Sequence, residues 1–495
     1  MHGSSSHMAA RTSATSANLS NAFSATDDLS FKETIAMGNE LIDFSHREGT
    51  AWPSAARAGA LVFTGSHTPH DPVSGRLVLS TADLSVEHQK LRAAVLFTEV
   101  VAGQLRAQTW QVLQNLKTTL DQAGSSVEHA VHLRIFLRDI AHEGVVLSLV
   151  KEFFGASLCS GEILEARNGG SHPAILIQAD CIALAADAGR PRHVWGKGLE
   201  RLTDPFPTAT LAAGFLFSSQ MGGVNPDTGA VVDHENALTA RARQLLGPLA
   251  QQASRQSLPF FLQQAAMWDH LLNVLDEFGV AHQSTLYHMN WMRRPMSVFR
   301  DGSVTRRIQE YTGDYLLTCF PTSAVRTPHA ELEGRIVAIL PDSGFTKDVR
   351  VPIHGISNSY FGAIKAGPYL FAAGEVPIDT AKWAIVDRPE QLAPPANRLA
   401  VGKPYEVPQI QVQSRYIYAL YEETYAAYGI DLSRGMHQTI YMTDAGDGPA
   451  LEPVIAEHFG DRPPATTIVP ILAASPFEAT RLELELTAYL GDDAT

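Results

Sequence analysis

Leu120-Asp-Gln-Ala-Gly124 recurs as Leu275-Asp-Glu-Phe-Gly279, and Gly429 ends a third stretch of the same kind. Each glycine follows apolar residues spaced at i, i+4 and i+8, which predicts a helix that turns one face to a core. Glycine just past the last turn adopts a left-handed cap that other residues resist. The predicted helices span Gln108–Ala123, Phe261–Phe278 and Val412–Tyr428. One helical motif therefore occurs three times, at intervals of about 150 residues.

The sequence around each helix repeats as well. A run rich in Val, Phe and Leu precedes each helix and leads into small residues, which predicts a strand followed by a closely packed loop. These runs are Ala60–Pro69, Gly214–Gly222 and Gly367–Pro377. Further strands are predicted at His132–Leu137, Tyr287–Met292 and His437–Met442, and closing strands at Ala174–Ala183, Leu332–Leu340 and Arg481–Leu490. With a second, shorter helix in the first and third copies, the predicted order is β-β-α-β-α-β-β.

The repeats divide the chain into predicted domains. Met1–Met8 resembles the remnant of an expression tag, and the Ser- and Thr-rich stretch after it offers little to bury, so residues 1–27 are interpreted as a tag and flexible leader. The three domains are predicted at 28–188, 200–342 and 350–492. Segments rich in Gly, Pro and charge, Asp187–Asp204 and Pro341–His354, separate them. The Pro-rich stretch 381–407 is predicted to be an insertion in the third domain.

Composition excludes several classes of protein. With 45% hydrophobic residues the 495-residue chain can build real cores, so it is not intrinsically disordered. A net charge of −14 repels phosphate backbones, which disfavours nucleic acid as a partner. No apolar run reaches the roughly 18 residues that cross a bilayer. The 3 cysteines form no CxxC pair and fit a reduced, cytoplasmic compartment. No third ligand accompanies His67 and His70, and no glycine motif for nucleotides occurs, so neither metal nor cofactor is expected.

In their order, these motifs resemble the Rid family (RidA/YjgF/UK114), whose α+β fold is chorismate-mutase-like. The resemblance is carried by the small-residue loop, the Leu-Asp-x-x-Gly helix end, and the strand His132–Leu137 with Arg138-Asp139 after it. Further matches are Phe153-Phe154, Arg462-Pro-Pro-Ala-Thr466 and Leu482-Glu-Leu-Glu485. It implies that the three domains form an intramolecular pseudo-trimer with three clefts between neighbours. Tethering would raise the effective concentration of surfaces that cannot stand alone.

The resemblance also implies a reaction, the hydrolysis of reactive imines and enamines such as 2-aminoacrylate. In those proteins an arginine in Pro-Ala-Arg-(Ser/Thr) binds the substrate carboxylate, and a glutamate on the last strand positions water. This chain lacks the arginine, since the matching positions are interpreted as Gly161, Ser323 and Thr466. Simple deamination of small α-imino acids is therefore disfavoured.

The glutamate has better matches. Glu483 and Glu333 occupy its position in the third and second copies, and Gln178 replaces it in the first. Both glutamates are candidate catalytic groups, with a purely structural role on the strand as the alternative. His288 is the third catalytic candidate because its pKa suits proton transfer, although a histidine in mid-strand is also typical of a core.

Other polar residues are candidates for substrate binding. His67, Gln220 and Glu375 are assigned to one equivalent loop position, and Arg326, Arg134 or Arg415 could supply the missing cation. The predicted substrate-binding set is Arg326, Thr466, Ser323, Asn290, His67, Gln220 and Glu375.

Three functions remain open. The first is hydrolysis of a small imine, enamine or related C–N metabolite in an inter-domain cleft, without the family arginine. The second is chorismatase-like ether hydrolysis or a lyase reaction in a biosynthetic pathway, and the third is non-catalytic binding of a small ligand or partner. Loss of the arginine favours the second and third over a simple deaminase, whereas the retained glutamates favour an enzyme. We expect a small-molecule substrate, no cofactor, and a monomeric pseudo-trimer whose further dimerisation is open.

Overall fold

Three sheets with one common strand order build the described part of the chain. The computed structural model describes residues 42–44, 52–89, 100–167, 172–248, 253–254, 256–293, 303–350, 362–394, 408–474 and 477–491. The first sheet has the order β1-β2-β3-β6-β4-β5, the second β7-β8-β9-β13-β11-β12, and the third β14-β15-β16-β21-β19-β20. The bounds in the first sheet are β1 Ile42–Phe44, β2 Ala55–Ala58, β3 Leu61–Thr64, β4 Ala130–Leu137, β5 Ser160–Glu165 and β6 Ile177–Leu184. Those in the second are β7 Arg192–Val194, β8 Ala209–Ala212, β9 Phe215–Ser218, β10 Met221–Gly222, β11 Thr285–Met292, β12 Leu316–Pro321 and β13 Leu332–Ile339, with β10 paired to β13. Those in the third are β14 Lys347–Val349, β15 Ala363–Ala366, β16 Tyr369–Ala372, β19 Gly435–Met442, β20 Ala465–Pro470 and β21 Leu482–Tyr489, and β17 Ile378–Asp379 pairs with β18 Ala384–Ile385 beside it.

We call residues 42–184, 192–339 and 347–489 repeats 1, 2 and 3. One long helix of each repeat packs behind its sheet: α1 Val100–Gln122, α5 Leu258–Glu277 and α7 Gln409–Ala426. Each repeat also has a second helix: α2 Glu143–Phe154, α6 Ser303–Thr312 and α8 Gly448–Phe459. Repeat 2 adds the short helices α3 Glu200–Thr203 and α4 Ala240–Leu246. The sequence analysis missed α6, although Val304, Ile308 and Tyr311 stand at helical spacing in its sequence.

Edge strands occupy the segments that the sequence analysis interpreted as separators between domains. β7 lies within Asp187–Asp204 and pairs with β8, and β14 lies within Pro341–His354 and pairs with β15. The second and third sheets therefore begin before residues 200 and 350, where the predicted domains start. Strands of 3 residues carry too few side chains to show a period of two. The predicted leader 1–27 and residues 395–407 of the predicted insertion lie outside the described residues.

The sheets and helices bury four main apolar cores. One core lies beneath each long helix, between that helix and the sheet of its own repeat. The largest core contains residues from all three sheets, among them the equivalent side chains Phe63, Phe217 and Phe371. Each sheet is therefore buried on both faces, one against its helices and the other against the two other sheets.

The inner faces of the three sheets also carry a charged network, which we call the axial network. Strand register puts Asp180, Arg335 and Glu485 at one equivalent position of the three repeats. Arg134 binds Asp180 through two hydrogen bonds of 2.8 and 2.6 Å. The Arg335 Nε lies 3.0 Å from a carboxylate oxygen of Glu162, and Glu485 accepts hydrogen bonds from the hydroxyls of Tyr441 and Tyr287. Most of these groups line a cavity of about 70 Å³ at the meeting point of the sheets.

In the described residues, every helix falls short of the length or the hydropathy that crossing a bilayer requires.

Candidate functional site

The register of the parallel strand pairs identifies which residues are equivalent. Gly161 pairs with Leu133 in repeat 1, and Thr466 pairs with Gln438 in repeat 3. The corresponding pair in repeat 2 is Leu317 with His288. The assignment of Ser323 to this position was therefore wrong by six residues, because Ser323 follows the end of β12. Its hydroxyl instead donates to the carboxylate of Glu165 in repeat 1.

The equivalent positions predicted for the loops that follow β3, β9 and β16 were wrong by one residue in repeat 2. His67 pairs with Ala179, Glu375 with Leu484, and Met221 with Gly334. Met221, and not Gln220, is thus equivalent to His67 and Glu375, while Gln220 shares its position with Ser66 and Gly374. A shift of one residue matters in extended chain because successive side chains point to opposite faces.

This loop of each repeat contacts the outer strand of the preceding repeat, and we name the contacts junctions 1–2, 2–3 and 3–1. At junction 1–2, Gln220 closes the space between repeats 1 and 2. Its Oε1 accepts from the backbone N–H of Ile163 at 3.0 Å, and its Nε2 donates to Glu333 at 2.7 Å. The Glu333 carboxylate also accepts from the backbone N–H groups of Arg326 at 3.1 Å and Thr327 at 2.7 Å. Burial raises the pKa of Glu333, and these hydrogen bonds oppose the rise.

The Arg326 guanidinium at this junction is also occupied. Its Nε donates to Glu143 at 3.0 Å, and its terminal nitrogens donate to the carbonyls of Thr203 and Asp204. Arg326 therefore ties repeat 2 to Glu143 of repeat 1, while Glu333 is bonded within repeat 2, and both side chains have their bonding capacity largely used.

Junction 3–1 is closed in a different way. Gln178 donates to the carbonyl of Ile468 at 2.6 Å, and Ser66 N–H donates to the carbonyl of Thr466 at 3.2 Å. The Thr466 hydroxyl donates to Pro464 and accepts from Gln438, each at 2.8 Å. The His67 side chain is buried at the same loop. These bonds leave Gln178 and Thr466 in structural roles.

Junction 2–3 differs because its loop has a glycine, Gly374, at the position that Ser66 and Gln220 occupy in the other two loops. The Gly374 N–H donates to the Thr318 hydroxyl at 3.1 Å. A Cβ on Gly374 would lie only 2.0 Å from the Glu483 Oε1, so glycine is what lets this carboxyl approach the backbone. Glu483 is 3% exposed and makes no hydrogen bond or ion pair with any described residue. Of the two acids at this strand position, Glu333 and Glu483, only Glu483 lacks a hydrogen-bond partner among the described residues.

The electrostatics of junction 2–3 follow from this burial. Desolvation raises the pKa of Glu483 well above 4.5, and the nearby carboxyls of Glu485 and Glu375 raise it further. Burial also raises the pKa of Glu375 to about 8. The buried Cys319 thiol has a raised pKa through desolvation and through Glu483. In the described part of this junction, burial therefore favours the protonated form of both acids and the neutral form of the thiol.

Glu375 lies near Glu483 and beside helix α7. The Glu375 N–H donates to the Leu484 carbonyl at 2.8 Å, and the Leu484 N–H donates to the Glu375 carbonyl at 3.0 Å. A Cβ on Gly362 would lie 3.7 Å from the Glu375 Oε1 and 3.5 Å from the Thr424 Oγ1, which places the carboxyl beside α7. In the described residues this carboxyl, 2% exposed, has no hydrogen-bond partner.

His288 and Asn290 lie in the core between β11 and α5. The His288 ring packs 4.5 Å from the Trp268 ring, centroid to centroid, and burial lowers its pKa to about 3. Both ring nitrogens and both amide atoms of Asn290 lack partners in the described residues. A histidine that stays neutral near pH 7 and is enclosed by aromatic rings gives no support to proton transfer by His288.

The other candidate cations are engaged elsewhere. Arg134 belongs to the axial network, and Arg415 pairs with Glu457 at 2.7 Å. The described residues contain no cluster of three His, Cys, Asp or Glu side chains that could hold a metal ion.

Sequence reasoning missed Gly374, Cys319 and Leu317 as members of this site. Cys319 is beside Asn290 in the register of β11 and β12. Aligning the third copy's Pro464-Ala-Thr-Thr467 by strand position instead of by its proline would have found both Leu317 and Cys319.

Comparison with known proteins identifies part of the chain. Residues 49–167 match the family model "Endoribonuclease L-PSP". A RutC family protein of Pyrococcus horikoshii is 29% identical over 145 residues, 29% of this chain and 94% of that protein. Another, of Pyrococcus abyssi, is 24% identical over 106 residues, 21% of this chain and 65% of that protein.

Solved structures resemble the chain over a similar share. YyfA of Yersinia pestis, a Rid-family protein, is 19% identical and covers 29% of this chain and 99% of its own, with a TM-score of 0.23. Escherichia coli TdcF, solved with bound serine, is 16% identical and covers 29% of this chain and 98% of its own, with a TM-score of 0.22. Residues 49–167 thus form a domain of the endoribonuclease L-PSP family, the group of the Rid and YjgF proteins, and part of the chain is similar to RutC family proteins.

Proposed function

We propose that the three repeats are three Rid-like domains that assemble as a pseudo-trimer within one chain. The common strand order, the apolar core shared by the three sheets and the cyclic series of junctions support this proposal. Cys159, Cys181 and Cys319 are buried and form no disulfide, which supports a reducing, cytoplasmic location.

We further propose that the chain is a hydrolase of imines or enamines, with Glu483 as its acid–base group at junction 2–3. The observation that carries this proposal is the buried carboxyl of Glu483, which lies against Gly374 and has no hydrogen-bond partner in the described part of the chain. Because burial favours the protonated form of this carboxyl, it can donate its proton to the nitrogen of a C=N bond. The carboxylate so formed can then accept a proton from the attacking water.

The other two junctions lack this capacity. Glu333 is bonded to Gln220 and to two backbone N–H groups, and Gln178 has no ionisable proton. We therefore assign one working site to the chain, at the only junction whose equivalent loop position is glycine.

The test is the rate of ammonia release from imines generated in situ by an amine or amino-acid oxidase. We expect the chain to accelerate release above the spontaneous rate for at least one imine. Glu483→Gln should lower that acceleration at least about 100-fold, the contribution typical of general acid–base catalysis. Glu457→Gln, a half-exposed carboxyl on α8, is the matched control and should retain full activity.

Glu333→Gln decides between the junctions. This variant should keep the activity, with a lower melting temperature because buried hydrogen bonds are lost. If no imine is turned over faster than in buffer, or if Glu483→Gln is fully active, the proposal is wrong.

A further inference from the structure

We infer that junction 2–3 takes an imine that bears no carboxylate or phosphate, and that it holds this substrate as the protonated iminium against Glu483. The inference rests on the proposed function and adds the chemical class of its substrate. It is drawn from the charges of the described residues around Glu483.

The acids at this junction have no counter-charge among the described residues. Glu483 and Glu375 form no salt bridge with any described Arg, Lys or His, and Glu485 is bonded to tyrosine hydroxyls on the inner side of the same strand. An anionic group bound here would lie beside the described carboxyls and would be repelled by any of them that ionised. An ionised carboxyl in this buried place would be stabilised by a cation. The electrostatics of the junction therefore favour a neutral molecule that becomes a cation after binding.

The arginines near the other junctions do not change this balance. Arg326 is bound to Glu143, and Arg335 pairs with Glu162 at 3.0 Å. The position of repeat 2 equivalent to Thr466 is the apolar Leu317, which is half-buried at the edge of the second sheet. A site made of carboxyls, a thiol and Leu317 suits an apolar amine derivative and disfavours a dianion such as chorismate.

One carboxyl, that of Glu483, can donate and accept every proton that the reaction moves. Glu483 first transfers its proton to the neutral C=N nitrogen, which leaves an iminium paired with a carboxylate. Water then forms a bond from oxygen to carbon while the carboxylate takes the water proton, giving a neutral carbinolamine. Glu483 returns this proton to nitrogen, the C–N bond breaks, and ammonia leaves as the hydroxyl proton passes to Glu483. The sum is imine plus water to carbonyl compound plus ammonia.

The first experiment compares two imines that differ only by a carboxylate. An amine oxidase acting on phenethylamine produces 2-phenylethanimine, and an amino-acid oxidase acting on phenylalanine produces 2-imino-3-phenylpropanoate. We expect the acceleration of ammonia release to be at least about tenfold greater for the imine without the carboxylate. Equal or greater acceleration for the carboxylate-bearing imine would overturn the inference while leaving the proposed function standing.

The second experiment measures binding without turnover. Phenethylammonium serves as a stable mimic of the iminium, and 3-phenylpropanoate as the anionic counterpart, in calorimetric titrations of the full chain. Phenethylammonium should bind the wild type, release protons to buffer as Glu483 ionises, and bind at least about tenfold more weakly to Glu483→Gln. Binding of the cation without turnover of either imine would support the inference and refute the proposed hydrolysis. Tighter binding of 3-phenylpropanoate, or equal binding of the cation to Glu483→Gln, would refute the inference.

Discussion

Replacing Glu375 with glutamine should make the chain more stable at alkaline pH and flatten the pH dependence of its stability. Glu375 has a pKa of about 8 in the folded protein against an ordinary value of 4.5. The folded state therefore binds this proton more tightly than the unfolded state does. Its contribution to stability is complete below pH 4.5 and is lost as pH rises from 4.5 toward 8. A glutamine has no such proton to lose.

The size of the effect follows from the two pKa values. At 1.36 kcal/mol for each pKa unit, their difference corresponds to at most about 5 kcal/mol. Between pH 5 and pH 8 the loss for the wild type is about 3.5 kcal/mol. Glu483 titrates in the same direction, and Tyr416, which also lies near Glu375, has a pKa of about 12 and stays neutral over this range.

Urea titrations at pH 5, 6, 7 and 8 provide the free energy of unfolding for both proteins. The stability difference between Glu375→Gln and the wild type should grow by about 3.5 kcal/mol from pH 5 to pH 8. Glu452→Gln, at an exposed position of α8, should track the wild type at every pH. A difference that stays constant across the four pH values would show that Glu375 is not buried as a protonated acid, and would remove the electrostatic basis of the site.

Three further changes test other parts of the structure. Gly374→Ala places a methyl group where Glu483 Oε1 lies, at 2.0 Å, so activity should fall about 100-fold with little change in melting temperature; an active variant would separate Gly374 from the reacting group. Gln220→Ala leaves Glu333 and the Ile163 N–H short of a buried partner and should cost about 1–3 kcal/mol in urea unfolding without loss of activity; loss of activity in a folded variant would move the site to junction 1–2. Arg134→Met strands Asp180 and should cost about 3–5 kcal/mol, most of which Arg134→Met with Asp180→Leu should restore; equal destabilisation of the single and double variants would contradict the pairing.

Local signals in the sequence predicted the elements that local interactions determine. Gly124, Gly279 and Gly429 have φ between 65 and 76°, as the predicted helix caps require. The strand and long-helix positions were also close to those of the structure. These features depend on the conformational preferences of a few consecutive residues, which a sequence displays directly.

The candidate site depended instead on register between distant strands. Ser323 was misplaced by six residues and Gln220 by one, because only the pairing of β11 with β12 and of β10 with β13 fixes those positions. The importance of Glu483 over Glu333 was also hidden in the sequence, since both have the same strand position. What separates them is whether the neighbouring loop offers a Gln220 side chain or a bare Gly374 backbone.

The axial network has a consequence for how the repeats evolve. Tandem duplicates tend to exchange sequence and become alike, but three copies of any one repeat would put three like charges at the position of Asp180, Arg335 and Glu485. Three copies of repeat 2 would bury three Arg335 guanidinium groups without Glu162, which repeat 1 supplies, at a cost of several kcal/mol for each ion. Repeat 1 therefore supplies a charge partner that repeat 2 needs, and a second copy of repeat 2 could not take its place.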